Sequence, residues 1–166
     1  MITIISGTNR KDSRTLKVSN VYFQLLREHT SAVELVSLEK LNVWERSTEL
    51  LNLEKNLLIP SEKFIFIMPE YNGSFPGILK LLLDNTDIRK CWWHKKAALV
   101  GVADGRGGNL RGIEHMTNIL HYLKMNVFYN KLPLSRINEE LSDEGAFLHQ
   151  NTILAIKEQL EDFLKY

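Results

Sequence analysis

Five short apolar runs alternate with stretches of helical spacing, and that alternation confines the chain to an α/β architecture. The runs occupy residues 2–6, 32–38, 63–68, 97–103 and 126–129. Apolar residues at Leu16, Val21, Leu25 and Leu26 give the stretch after the first run helical spacing. Ile78 to Leu83 opens a helix behind Ser74 and Pro76, residues that suit a helix start. Ile113, Met116, Leu120 and Leu123 mark another helix, with Asn109 as its expected N-cap. Ile153, Ile156, Leu160, Phe163 and Leu164 form the stripe of the last helix. Residues 42–60 are the least patterned, with a short helix expected at 49–57, stopped before Pro60. Strands separated by helices run parallel and are covered on both faces. Right-handed crossovers leave few strand orders. The order 2-1-3-4-5 puts its switch point, where ligands bind, between the first and third strands.

At 166 residues the chain is expected to form one domain, residues 1–166, with no repeat, low-complexity tract or linker. The net charge of +1 supplies no bulk attraction to nucleic acid or to an anionic membrane, and neither is expected as a partner. No apolar run approaches the roughly 20 residues that span a bilayer. Met1-Ile2-Thr3-Ile4-Ile5 lacks the basic start of a signal peptide, so the expected location is cytoplasmic. Asn72-Gly73-Ser74 matches a glycosylation acceptor but is discounted on the same ground. A single cysteine, Cys91, excludes a disulfide framework and a Cys-x-x-Cys metal site. His115 and His121 are six apart and lie on different helix faces, so no metal is expected. Trp92-Trp93 reads equally as a partner surface, a core plug or a lid.

Three loops follow the first, third and fourth runs. In the first, Gly7 permits a tight turn, Thr8, Ser13 and Thr15 supply hydroxyls, and Arg10 supplies a fixed positive fork ahead of a helix N-terminus. That combination suits a phosphate monoester, and equally a turn in which Ser13 or Thr15 only caps the helix. The second loop, Pro69-Glu70-Tyr71-Asn72-Gly73, can offer main-chain groups to a flat polar heterocycle while Tyr71 covers an apolar face. It is also a good turn sequence, although Glu70 at the end of a core strand then needs a partner. The third loop, Asp104-Gly105-Arg106-Gly107-Gly108, has three glycines that let the backbone approach a ring system. Arg106 is positioned there for a phosphate-bearing co-substrate or a surface ion pair.

At these loops the chain resembles the NAD(P)H-dependent FMN reductase family, a flavodoxin-like group that includes quinone, chromate and azo-dye reductases. The family's first loop, approximately Gly-Ser-x-Arg-x-x-Ser-x-Asn, corresponds to Gly7-Thr8-Asn9-Arg10-Lys11-Asp12-Ser13-Arg14-Thr15. The family pattern Pro-Glu-Tyr-Asn-x-Ser-x-Pro-Gly-x-Leu-Lys-Asn appears at residues 69–81, ending in Leu81 instead of Asn. The Gly-Gly loop after the fourth strand resembles residues 104–108. Asn85 replaces a usual aromatic, and the Pro-containing loop after the second strand is absent around residues 38–44. The resemblance implies a flavodoxin-like three-layer sandwich with a five-stranded parallel sheet. It implies FMN, its phosphate on Thr8, Arg10, Ser13 and Thr15 and its ring framed by Pro69, Glu70, Tyr71, Asn72 and Gly73. It further implies NADPH or NADH as co-substrate, a quinone, azo compound or flavin as electron acceptor, and a homodimer or homotetramer. An FMN-binding electron carrier or redox sensor is the alternative. The flavin carries the redox chemistry, so no side chain is nominated as acid or base.

Overall fold

The computed structural model describes residues 1–166. Its strands are β1 (Ile2–Ser6), β2 (Val33–Ser37), β3 (Lys63–Pro69), β4 (Lys96–Val102), β5 (Asn126–Val127) and β6 (Leu132–Leu134). Its helices are α1 (Arg14–Arg27), α2 (Thr48–Leu53), α3 (Gly77–Asn85), α4 (Ile88–Cys91), α5 (Leu110–Tyr122), α6 (Ile137–Glu140) and α7 (Gln150–Lys165). The strands form a parallel sheet in the order β2-β1-β3-β4-β5, with β6 also paired to β4. The fold is flavodoxin-like, as expected.

Successive strand residues face opposite sides. In β3, Phe64, Phe66 and Met68 pack with Leu79 and Leu82 of α3 and Met116 and Leu120 of α5. Ile65 and Ile67 join Val18, Tyr22 and Leu26 of α1 and Ile156, Leu160 and Phe163 of α7. Continuous burial along β3 explains why its sequence does not alternate with polar residues. Trp92 is fully buried, its ring 5.1 Å from that of Phe64, and its Nε1–H donates to Thr86 Oγ1 at 3.0 Å. It is a core plug. Trp93 lies instead between the Lys124 ammonium, 3.9 Å from its ring, and the Arg89 guanidinium at 5.2 Å.

The fifth strand departs from expectation. Residues 126–129 do not form one strand, and the sheet has six strands. β5 pairs only with Lys96 and Ala97, and β6 pairs with Val100–Val102. Between them the side chain of Gln159 occupies the gap. Its Nε2 donates to Leu99 O at 3.3 Å and to Asn130 O at 2.8 Å, and its Oε1 accepts from the Tyr22 hydroxyl at 2.7 Å. A buried amide thereby replaces the missing ladder bonds. Tyr22→Phe is expected to lower stability by about 1–3 kcal/mol, because Gln159 Oε1 loses its donor. Burial also pushes the Tyr22 hydroxyl well above its usual value of 10.0. That contribution is complete below pH 10 and is lost as pH rises through and beyond it. Urea unfolding across this range should therefore show a shallower alkaline decline in the variant.

The helix expected at residues 49–57 is present but changes form. Ser47 caps α2 by accepting from the Leu50 N–H at 3.2 Å, and a π-helical turn follows over Glu54–Leu58. The turn carries buried Glu54, whose carboxylate accepts from Arg46 Nη2 at 2.7 Å and from the Asp87 N–H at 2.6 Å. This acid fastens residues 46–58 to the start of α4. The N–H groups of Lys90 and Arg89, each 3.0 Å from Asp87 Oδ1, hold the Asp87 carboxyl below its ordinary range. No helix is long and apolar enough to cross a membrane.

Candidate functional site

The C-terminal ends of β1, β3 and β4 lie side by side, and the three expected loops meet there. The Gly7 N–H donates to Ile67 O at 2.8 Å, so the chain leaves β1 pinned to β3. A Cβ at Gly7 would stand 2.8 Å from Leu79 Cδ2 and 3.1 Å from Ile67 O, so glycine lets the chain leave β1 close against β3 and α3. Thr8 is buried, and its hydroxyl is 2.6 Å from the Tyr71 hydroxyl. The Arg10 guanidinium lies 4.0 Å from the centre of the Tyr71 ring. The first and second loops are thus joined through one tyrosine. Arg10 spends a face on that ring, and its guanidinium N–H groups have no acceptor in the protein.

Ser13 caps α1, accepting from the Leu16 N–H at 3.1 Å, so its hydroxyl serves the helix as the capping alternative required. Thr15 is buried in the first turn of α1. The N–H groups of Arg14 and Thr15 have no acceptor. Ser6 Oγ is buried at the end of β1 without a partner. Unpaired N–H groups at a helix start, a nearby guanidinium and hydroxyls are the donor set of an anion site. The residues present fit a phosphate.

Tyr71 to Ser74 form a tight turn closed by Tyr71 N–H to Ser74 O at 2.8 Å and Ser74 N–H to Tyr71 O at 3.2 Å. Asn72 and Gly73 have φ of 53° and 78°, a conformation that Asn-Gly adopts at low cost. Pro69 ends β3 in the core. The Glu70 N–H donates to Val102 O at 2.9 Å, while its half-buried carboxylate has no partner in the chain. Its acid remains available to a ligand.

Asp104, Gly105, Arg106 and Gly107 are exposed, and a Cβ on Gly105 or Gly107 would meet nothing within 4 Å. The protein itself does not require those two glycines, and they leave an open approach to the loop. Gly108 differs: its φ is 53° and a Cβ there would sit 2.7 Å from Pro133. Asn109 caps α5 by accepting from the Gly112 N–H at 3.1 Å, as expected. Its Nδ2 also donates to Met68 O at 3.0 Å, locking α5 to the end of β3.

Two side chains at this site lie outside the three loops. His115 Nδ1 is 2.9 Å from Ser74 Oγ, and the Arg111 guanidinium reaches within 3.7 Å of the position a Gly73 Cβ would take. Their signal in the sequence is an Arg and a His one helical turn apart, just after the Gly-rich loop. No three His, Cys, Asp or Glu side chains converge to hold a metal.

A parallel sheet with ligand loops converging at its switch point defines a flavodoxin-like protein with a site for a phosphate-bearing ligand. The family model described as NADPH-dependent FMN reductase matches residues 1–139, and the chain belongs to that family. It is 28% identical over 117 residues to an NAD(P)H-dependent FMN reductase of Saccharomyces cerevisiae, covering 69% of this chain and 54% of the relative. It is 31% identical over 106 residues to a protein of Oryza sativa subsp. japonica named "Probable NADPH:quinone oxidoreductase 2", covering 61% and 49%. The chain thus spans about half the length of these two relatives. Among solved structures it is similar to the flavoenzyme NAD(P)H:(acceptor) oxidoreductase FerB of Paracoccus denitrificans. The TM-score there is 0.79 at 22% identity, covering 99% of this chain and 95% of that one, a likeness of fold.

Proposed function

We propose that this protein is an FMN-dependent NAD(P)H oxidoreductase that reduces quinones or related small acceptors. The observation that carries the reading is the Thr8–Tyr71–Arg10 junction, which brings an anion-binding helix start against the Pro69–Gly73 loop. The Arg14 and Thr15 N–H groups, with Thr8, Arg10, Ser13 and Thr15 around them, hold the FMN phosphate. Pro69, Glu70, Tyr71, Asn72 and Gly73 frame one border of the ring, and residues 104–108 approach it with main-chain groups. Bound FMN supplies a two-electron relay: NAD(P)H plus a proton is consumed, and a quinone leaves as its hydroquinone. The chain's own part is to bind and orient.

NADPH and NADH are both admitted as reductant. The proposal places the protein in the cytoplasm, and as a homodimer or homotetramer. The face formed by α3, α4 and α5 suits self-association, because Tyr122 is 80% exposed there beside a groove of 500 Å³ lined by Leu83, Ile88 and Ile119. Sedimentation at micromolar concentration reads the oligomeric state directly.

The deciding experiment is a visible spectrum of the purified protein, then NADH and NADPH oxidation with and without quinone. A yellow protein whose turnover depends on the acceptor is expected. A colourless protein that takes up no added FMN overturns the reading. Arg10→Ala is expected to weaken FMN binding by about tenfold or more, from loss of a charge-assisted contact. An unchanged dissociation constant in a flavin titration would remove Arg10 from the phosphate site.

A further inference from the structure

A cavity of 440 Å³ opens beside Tyr71, lined by Trp44, Tyr71, Ile78, Leu81 and Asn9. Trp44 is 71% exposed, yet its backbone is fastened on both sides. Its N–H donates to Asn42 Oδ1 at 3.1 Å. The preceding Val43 is fully buried and its carbonyl accepts from Asn85 Nδ2 at 2.7 Å. Two residues on, Arg46 donates to Asn85 O at 3.3 Å and pairs with Glu54 at 2.7 Å. The indole is therefore presented at the surface by an anchored segment. Tyr71 is held independently by Thr8 and Arg10.

The held Tyr71 ring, the Trp44 ring carried on an anchored backbone and an apolar lining suit a flat aromatic guest, and the cavity is the size of a small-ligand site. The Asn9 amide has no partner in the protein and supplies a donor for a carbonyl oxygen. Lys80 and Asp84 also line the cavity, paired to each other at 2.6 Å, so neither adds a net charge. The cavity shares Tyr71 with the residues assigned above to FMN, so an acceptor bound there would lie against a residue of that site. We propose that this cavity binds a planar, uncharged bicyclic quinone, with Trp44 as its specificity-determining stacking residue. The binding claim stands on the cavity; the acceptor role rests on the function proposed above.

The test titrates 2-methyl-1,4-naphthoquinone into the purified protein by calorimetry, without nicotinamide, so that no electrons flow. Trp44→Ala is expected to weaken binding about tenfold, the scale of one lost aromatic stack, while Trp44→Phe retains most of the affinity. An unchanged melting temperature confirms that the exposed site tolerates both changes. In turnover with NADPH, KM for the quinone should rise by a similar factor in Trp44→Ala and return close to the wild-type value in Trp44→Phe. Equal quinone affinity in the wild type and Trp44→Ala overturns the proposal. So does a loss of self-association in Trp44→Ala with quinone affinity intact, which would assign the indole to a contact with a second copy. Quinone binding that needs Trp44, in a protein that oxidises no NAD(P)H with ferricyanide, would uphold the cavity and sink the proposed function instead.

Discussion

Gly101→Ala is expected to lower the melting temperature by about 6–12 °C and to loosen FMN binding at the same time. Gly101 lies in β4, directly beneath the end of the Gly-rich loop. A Cβ there would fall inside contact distance of the Gly108 carbonyl oxygen, 2.9 Å from Ile113 Cδ1 and 3.0 Å from Asn109 Cβ. The nearest obstacle is backbone, which cannot rotate away as a side chain can. Gly108 is itself wedged against Pro133, so the loop has nowhere to retreat. The cost lies at the upper end of the roughly 1–3 kcal/mol usual for overpacking. The displaced loop would carry residues 104–108 off the ring they are proposed to meet. Thermal melting together with a flavin titration checks both effects. A normal melting temperature with normal flavin affinity would show that the loop yields freely.

Trp92→Ala should be more destabilising still, by about 3–5 kcal/mol. The indole is fully buried, packs 5.1 Å from Phe64 and 6.1 Å from Phe66, and donates its N–H to Thr86. Its removal leaves a cavity whose rigid aromatic walls cannot collapse into it. Trp92→Phe should recover much of the loss, since most of the volume returns. The damage is predicted to be one of stability and not of ligand chemistry, because Phe64 lies at the opposite end of β3 from Pro69. Denaturant unfolding measures the first; flavin affinity well below the unfolding midpoint measures the second. A large drop in flavin affinity with little loss of stability would refute that separation.

Much of the site is legible along the chain because its signals are local. Asn72-Gly73 announces two residues at positive φ, and few other pairs reach that conformation without strain. Asn109 announces a cap because its side chain can bond the N–H three residues on. The capping alternative for Ser13 was equally readable, and the structure takes it. By contrast, nothing near Arg10 says that its guanidinium will rest on Tyr71. Nothing near residue 128 says that the fifth strand will break, since the cause is an amide at Gln159 and a hydroxyl at Tyr22. The place of Arg111 and His115 in the site is hidden for the same reason. Their relevance depends on where α5 sits, not on what surrounds them in the chain.

The alternation of strands and helices, the two covered faces and the sheet end that carries the ligand loops follow from the residue pattern, which narrows the strand order to a few. They depend on periodicity, chain reach and the handedness of crossovers, all of which short stretches of chain impose. The working geometry arises only when the chain closes on itself. Thr8 meets Tyr71 across 63 residues, and Trp44 is set beside the same tyrosine by bonds to Asn85 and Glu54. Such contacts are chosen by packing among distant elements, and a residue's neighbours in sequence have no influence over which partner arrives.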